Sequence, residues 1–132
     1  MRSVVFILLF FFSLHGADFD WIGSLQKGFE IAKKEKKPLM VMIEQKGCEA
    51  CEYMDEVAFE NSEAAEFIEN FFVPVKLDLD SAKSEGLKAF GTPTFYFFTY
   101  DKKQIGRQLV GAATAENFLK VLKKYKKSAE KR

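Results

Sequence analysis

The segment QKGCEACEYM, residues 45–54, contains both cysteines of the 132-residue chain, Cys48 and Cys51, with two residues between them. Such a pair has three common uses: it holds a metal ion, it cross-links the fold, or it exchanges electrons with another thiol pair. The position of the pair among the predicted strands and helices, together with the composition of the chain, discriminates between these uses.

The amino-terminal segment has the pattern of a secretory signal peptide. A basic residue precedes the apolar run VVFILLFFFSL at residues 4–14, and the small residues Gly16 and Ala17 follow it. A membrane-spanning helix needs roughly 20 residues, so this run is short for a span. We predict a signal peptide over residues 1–17, cleaved near Gly16 and Ala17, and an exported, periplasmic domain over residues 18–132. Retention of the run as a short anchor is the alternative.

Removal of this leader changes the composition of the domain. The only histidine, His15, and one of the 20 basic residues, Arg2, are lost, which leaves 19 basic and 19 acidic residues. A histidine-free domain excludes Ser/His/Asp and Cys/His nucleophilic sites. Two thiols supply half of the ligands of a structural zinc site, although a two-sulfur copper site is compatible with the count. We expect no metal and no cofactor, and the absence of net positive charge argues against a nucleic-acid partner.

Hydrophobic patterning places the cysteines between a strand and a helix. The run PLMVMIE, residues 38–44, predicts a buried central strand. From Cys48 onward the apolar residues recur at helical spacing, so Cys48 is predicted at a helix amino terminus and Cys51 one turn inside the same helix. Both sulfur atoms then lie on one face of the helix.

The rest of the chain predicts alternating helices and strands. The other predicted elements are a helix over residues 21–37 with Ile22, Leu25, Phe29 and Ala32 on one face, a helix over 62–71 capped by Ser62, a strand over 71–79, a helix over 81–90, a strand over 91–100, a turn at 101–104, an antiparallel strand over 105–111, and a terminal helix capped by Thr114 with Phe118, Leu119, Leu122 and Tyr125 inward. Pro74 predicts a strand end or an edge strand. This order predicts an α/β fold, a mixed central sheet of about four strands with helices on both faces.

The predicted helix start favours a reactive thiol at Cys48. Unpaired backbone N–H groups at a helix amino terminus stabilise the thiolate, which is the nucleophilic form. Cys51, three residues later, is close enough for a disulfide and can resolve a mixed disulfide formed at Cys48. A purely structural disulfide is the alternative, but a loop of two residues constrains the unfolded chain little.

A second candidate site lies in GTPTF, residues 91–95. Pro93 stands between a glycine-started turn and an aromatic strand, which is a natural place for a cis X–Pro bond. With that bond, Thr92 would hydrogen-bond an extended substrate segment beside the sulfur atoms. A trans proline that merely starts the strand is the alternative.

These residues resemble the thioredoxin family: a strand, Cys-X-X-Cys at a helix start, and Thr92-Pro93 placed 41 residues after Cys51. The resemblance covers nearly the whole mature chain, which is more similar to secreted thioredoxin-like proteins and to the periplasmic reductase domain of the membrane disulfide transporter than to cytosolic thioredoxin. It implies a thioredoxin-like fold, Cys48 as attacking thiol, Cys51 as resolving thiol and Thr92-Pro93 as the substrate-contacting loop. It also implies protein thiols and disulfides as partners, with an upstream membrane or soluble thiol donor.

The chain departs from that family at two positions. Gly47 stands where a substrate-facing tryptophan commonly precedes the first cysteine, and Met42 stands where many members carry a buried acid that accepts the proton of the resolving cysteine. Glu44, Asp55 and Glu56 are the candidate replacements for that acid. Glu44 and Asp55 are the equally weighted choices, and proton transfer to water, with no dedicated base, is the alternative.

Acidic residues surround the cysteines and predict the direction of electron flow. The intervening dipeptide is Glu49-Ala50, and Glu52, Asp55 and Glu56 follow. Negative charge disfavours a thiolate and thereby favours the disulfide, which lowers the reduction potential. We expect a protein-disulfide reductant or exchange protein in preference to a strong oxidant. The alternative function is a non-catalytic binding or chaperone module with a structural disulfide.

Overall fold

The structure, a computed structural model, describes residues 19–131 of the chain. The predicted signal peptide and its cleavage site lie outside these residues. The elements are α1 (Leu25–Glu35), β1 (Leu39–Glu44), α2 (Glu49–Tyr53) continued by a π-helical segment (Met54–Ala58), α3 (Ser62–Phe71), β2 (Val73–Asp78), α4 (Leu79–Ser84), β3 (Thr94–Phe98), β4 (Leu109–Val110) and α5 (Ala115–Glu130).

The four strands form one mixed sheet in the order β2-β1-β3-β4. β1 pairs in parallel with β2, in a register that sets Met42 beside Lys76, and antiparallel with β3 on its other side. β2 is an edge strand, so Pro74 costs no central ladder hydrogen bond. The predicted mixed sheet of about four strands is confirmed.

Alternate residues of β1 enter two separate hydrophobic clusters. Met40 and Met42 belong to one cluster with residues of α2, α3 and α5, and Val41 and Ile43 belong to the other with residues of α1 and α4. Helices therefore cover both faces of the sheet, as the sequence predicts. Cys51 is part of the first cluster, so the core itself anchors the helix that carries it.

α1 begins at Leu25, four residues after the predicted start, whereas α3 begins at Ser62 as predicted but has a different capping residue. Ile22 does not enter α1, because its backbone N–H donates to Pro74 O and pairs residue 22 with the edge of β2. Ser24 caps α1 instead, with Oγ accepting from Lys27 N at 3.3 Å. Asn61, and not Ser62, caps α3: Oδ1 accepts from Ala64 N at 3.0 Å.

The predicted hairpin after β3 is less regular than expected. Gln104 pairs with Phe98 as an isolated bridge, and the regular pairing resumes only at β4. Gly106 lies between these two pairings with a φ of 65°, in the left-handed region, and this interrupts the ladder. The predicted helix over residues 81–90 is also shifted and shorter. α4 is capped by Asp78, begins at Leu79 and ends at Ser84.

The apolar face of α5 is buried as predicted, with Phe118, Leu119, Leu122 and Tyr125 all in the core. The helix also carries many lysines on its exposed side. Within residues 19–131, no helix combines the length and the apolar character that a membrane crossing requires.

Candidate functional site

The two cysteines form a disulfide at the point where β1 gives way to α2. Their Cα atoms are 5.2 Å apart, and Cys48 is the N-cap residue of α2. Gly47 precedes them, exposed and with a φ of 77°, a conformation that glycine adopts without strain. The turn is closed by Cys48 N, which donates to Gln45 O at 3.2 Å. The sequence prediction that Cys48 starts a helix matches this arrangement.

The two sulfur atoms differ in accessibility. Cys48 is half-buried, whereas Cys51 is 3 % exposed and packs into the core. The backbone N–H of Cys51 points at Cys48 Sγ, at 3.2 Å. After reduction this N–H would donate to a Cys48 thiolate, which favours the nucleophilic form of that cysteine.

The loop before β3 lies against the disulfide. The Thr92–Pro93 peptide bond is cis, and the carbonyl oxygen of Thr92 lies 3.4 Å from Cys48 Sγ. Two hydrogen bonds hold the loop: Gly111 N donates to Pro93 O at 2.8 Å, and Thr94 Oγ1 donates to Gly91 O at 2.6 Å. The backbone of residues 91–93 is therefore fixed beside the accessible sulfur.

A charged cluster lies next to the cysteines. Lys76 Nζ donates to both carboxylate oxygens of Asp55 at 2.7 Å and lies 3.6 Å from Glu44 Oε2. Lys76 also lies 4.7 Å from the ring centroid of Trp21, and its side chain is 17 % exposed. Two of the three predicted proton acceptors thus share one lysine, and sequence reasoning missed that lysine.

A cleft of about 360 Å³ connects this cluster with the cysteines; we call it the cysteine cleft. It is lined by Glu44, Gln45, Lys46, Gly47, Cys48, Cys51, Glu52, Asp55 and Asp78. Glu56, the third predicted acceptor, is exposed and does not line the cleft, nor do the predicted tuning residues Glu49 and Ala50. The structure therefore brings together both cysteines, Gly47, Glu44 and Asp55.

Asp78 adds negative charge to the cysteine cleft. Its carboxylate accepts a hydrogen bond from Ser81 N at 2.7 Å. That bond, at the first turn of α4, holds the pKa of Asp78 below its ordinary value. Asp78 is consequently a carboxylate at neutral pH. In the part of the chain that the structure describes, no cluster of three or more His, Cys, Asp or Glu side chains is arranged to hold a metal ion.

A mixed four-stranded sheet, a disulfide at the start of the helix after the central strand and a proline loop against the disulfide define the thioredoxin-like class of proteins. The chain belongs to the thioredoxin-like domain family, whose model matches residues 25–126.

The chain is similar to a curated protein and to several solved structures. The thiol:disulfide interchange protein DsbD of Campylobacter jejuni is 25 % identical over 114 residues, which cover 82 % of this chain and 20 % of DsbD. The chain therefore spans about a fifth of the length of that relative.

Among solved structures, a thioredoxin from Thermus thermophilus has a TM-score of 0.67 at 22 % identity, covering 81 % of this chain and 86 % of that one. The oxidised carboxy-terminal domain of Neisseria meningitidis DsbD has a TM-score of 0.61 at 21 % identity, covering 80 % and 99 %. The structural neighbours establish the fold, and the family with its paired cysteines supports thiol–disulfide exchange as the chemistry.

Proposed function

We propose that this chain is a thiol–disulfide oxidoreductase that exchanges electrons with cysteine pairs of other proteins through Cys48 and Cys51. The observation that carries the proposal is the asymmetry of the disulfide. Cys48 is the accessible sulfur and lies 3.4 Å from the fixed Thr92 carbonyl, whereas Cys51 is 3 % exposed. An external partner therefore reacts at Cys48, and Cys51 serves as the internal resolving group.

In the reducing direction the reaction has two steps. The Cys48 thiolate attacks one sulfur of the substrate disulfide, forms a mixed disulfide and releases the first substrate thiolate. Cys51 then gives up its proton and attacks Cys48 Sγ, which forms the Cys48–Cys51 disulfide and releases the second substrate thiolate. Two electrons pass from the cysteine pair to the substrate, and the two substrate thiolates take up two protons, one given up by Cys51 and one released earlier when Cys48 ionised. Gly47, Thr92 and Pro93 form the rim over which the substrate chain lies.

Asp55 is the residue that we assign as acceptor of the Cys51 proton in the second step. It follows Cys51 by one helical turn on the same face, and both residues line the cysteine cleft. Lys76 binds both carboxylate oxygens of Asp55, which fixes the side chain in place, whereas Glu44 is held by a single longer contact of 3.6 Å. Lys76 is thus a positioning residue.

The variant Asp55→Asn is expected to slow the second step about tenfold or more and to leave the first step unchanged, because the amide cannot accept the Cys51 proton. The measurement is the amount of mixed disulfide that accumulates after mixing pre-reduced protein with a disulfide-containing substrate. Glu44→Gln is the matched control, with the same chemical change in the same cleft. Accumulation in Glu44→Gln and not in Asp55→Asn would assign the proton to Glu44.

The carboxylates of the cysteine cleft support a reductant or exchange protein over a strong oxidant. Glu44, Glu52, Asp55 and Asp78 line it, against Lys46 and the neighbouring Lys76. A net negative field disfavours the thiolate, and a less stable thiolate goes with a more stable disulfide and a lower reduction potential. Glu49 is exposed, so solvent screens its contribution.

The reduction potential of the Cys48–Cys51 pair tests this proposal directly. We expect a reversible transition at or below about −200 mV, read by the mass shift of alkylated cysteines across graded thiol/disulfide buffers. A value near −120 mV would make the protein an oxidant. A bond resistant to reduction down to about −300 mV would leave the non-catalytic binding module as the better account.

We also propose that the protein works outside the cytoplasm. The pattern of residues 1–17 supports a leader cleaved near Gly16 and Ala17 and a mature thioredoxin-like domain over residues 18–132, placed in the periplasm. An exported reductant needs electrons from elsewhere, because an oxidising compartment keeps exposed thiol pairs oxidised. The partners of this site are therefore protein disulfides on one side and a membrane or soluble thiol donor on the other.

A further inference from the structure

Phe90 is an exposed aromatic residue beside the proposed reactive sulfur. Its side chain is 82 % exposed, more than any other large apolar side chain of the described residues. It comes two residues before Thr92, whose carbonyl oxygen lies 3.4 Å from Cys48 Sγ. Since consecutive Cα atoms are about 3.8 Å apart, the Cα atoms of Phe90 and Thr92 are at most about 7.6 Å apart. The backbone of Phe90 is thus close to the loop that faces Cys48 Sγ.

Further apolar side chains lie near the loop that carries Phe90. A Cβ atom built on Gly91 would lie 3.2 Å from Val110 Cγ1, so the loop rests against Val110, which is itself 55 % exposed. Phe90 also lines a cleft of about 460 Å³, together with the apolar residues Leu79, Leu87 and Ala89 and with Asp80, Lys83, Gly86 and Lys88. The loop that carries Phe90 is held in place by the hydrogen bonds of Gly91 and Pro93 described above.

We propose that Phe90 selects substrates, so that the preferred disulfide is one whose cysteine has a large apolar side chain two or three residues away in an extended segment. This inference rests on the proposed function, because exchange at Cys48 places the substrate cysteine over Thr92. An extended chain advances about 3.3 Å per residue, so a side chain two or three residues away lies roughly 7–10 Å from the cysteine, within reach of Phe90.

The physical reason for selection is the removal of apolar surface from water on both partners. Phe90 is almost fully hydrated in the free protein, and contact with an apolar side chain would bury part of its ring. Gly47, which directly precedes Cys48, has no side chain to compete for this contact. The substrate class that fits is an unfolded or incompletely folded protein, because its future core residues are still exposed beside its cysteines.

The experiment compares two peptides, each with one cysteine in a mixed disulfide with glutathione. One peptide carries leucine at the second residue on either side of the cysteine, and the other carries serine at those positions. The measurement is the second-order rate at which the pre-reduced protein consumes each peptide. We expect the wild type to favour the leucine peptide about fivefold, Phe90→Ser to bring the ratio to about one, and Phe90→Leu to keep most of the preference.

Two controls separate selection from general damage. Phe71→Ser changes another exposed phenylalanine, 38 % exposed on α3, and should leave the ratio unchanged. Glutathione disulfide, which has no apolar flank, should react equally with all variants. A wild-type ratio near one, or a ratio unchanged in Phe90→Ser, would overturn the inference while the exchange activity stands. Failure of the wild type to react with glutathione disulfide and with either peptide would overturn both the inference and the proposed function.

Discussion

We expect replacement of Cys48 by serine to abolish thiol–disulfide exchange and replacement of Cys51 by serine to trap the protein on its substrate. This contrast is the largest effect that we expect, because a hydroxyl group is neither a nucleophile of comparable strength nor able to form a disulfide. Cys48→Ser removes the accessible sulfur and leaves Cys51, which is 3 % exposed. The turnover of Cys48→Ser should fall by at least about a thousandfold. Cys51→Ser retains the first step and loses only the resolving attack.

The trapped species is what distinguishes this mechanism from a structural disulfide. Pre-reduced variants are mixed with a disulfide-containing protein and the products are separated without reductant, with intact mass as the readout. We expect a one-to-one adduct with Cys51→Ser and none with Cys48→Ser or with the double variant. Equal adducts with both single variants would contradict the assignment of Cys48 as the attacking thiol, and unchanged exchange in both would favour the binding module.

The parts of this site that could be predicted are those that local patterns determine. The run at residues 38–44, the following cysteines and the helical spacing after them are contiguous, so the position of Cys48 at a helix start follows from the sequence alone. The inward face of α5 follows in the same way from four residues at helical spacing. The capping residue of α3 was less predictable, because asparagine and serine are equally good caps and Asn61 and Ser62 stand next to each other.

The charged cluster could not be predicted, because it depends on contacts between residues distant in sequence. Lys76 and Asp55 are 21 residues apart, and the lysine reaches the site only because β2 pairs with β1 in the register that places Lys76 beside Met42. The one feature of the sequence that indicated this cluster was a single lysine, Lys76, within the otherwise largely apolar strand VPVKLD. A charge on such a strand requires a partner when it is mostly buried, but the identity of that partner required the fold.

Phe90 shows the opposite limit of sequence reasoning. An aromatic residue next to a strand is ordinarily assigned to the core, and Phe95 and Phe97 in the same region are indeed buried. The exposure of Phe90 follows from the path of the loop, which hydrogen bonds at Gly91 and Pro93 fix. Hydrophobicity alone therefore cannot separate a core aromatic from one at a substrate rim.

The second large effect concerns the stability of the helix that carries the cysteines. Phe59→Ala is expected to lower the free energy of unfolding by about 3–5 kcal/mol, because it opens a cavity in the core. Phe59 directly follows the π-helical segment and is 7 % exposed. Its ring makes edge contacts with the rings of Phe19, Trp21, Phe95 and Phe118, at centroid distances of 5.7, 5.5, 6.4 and 5.5 Å. Such pairs add to the energy of simple burial.

Equilibrium unfolding in urea, on the oxidised proteins, measures this loss. Phe71→Ala is the matched control, because the same substitution removes a ring that is 38 % exposed, and its cost should be smaller, about 1–2 kcal/mol. Equal losses in the two variants would contradict the role of Phe59 as the centre of the aromatic cluster.

The stability loss also has a consequence at the site: Phe59 ends the helical run that starts at Cys48, and Cys51 is buried by the same cluster. Local opening of that helix becomes more frequent when its anchor is lost. The reduced Phe59→Ala protein should consequently alkylate at Cys51 faster than the wild type, whereas alkylation at the accessible Cys48 should change little.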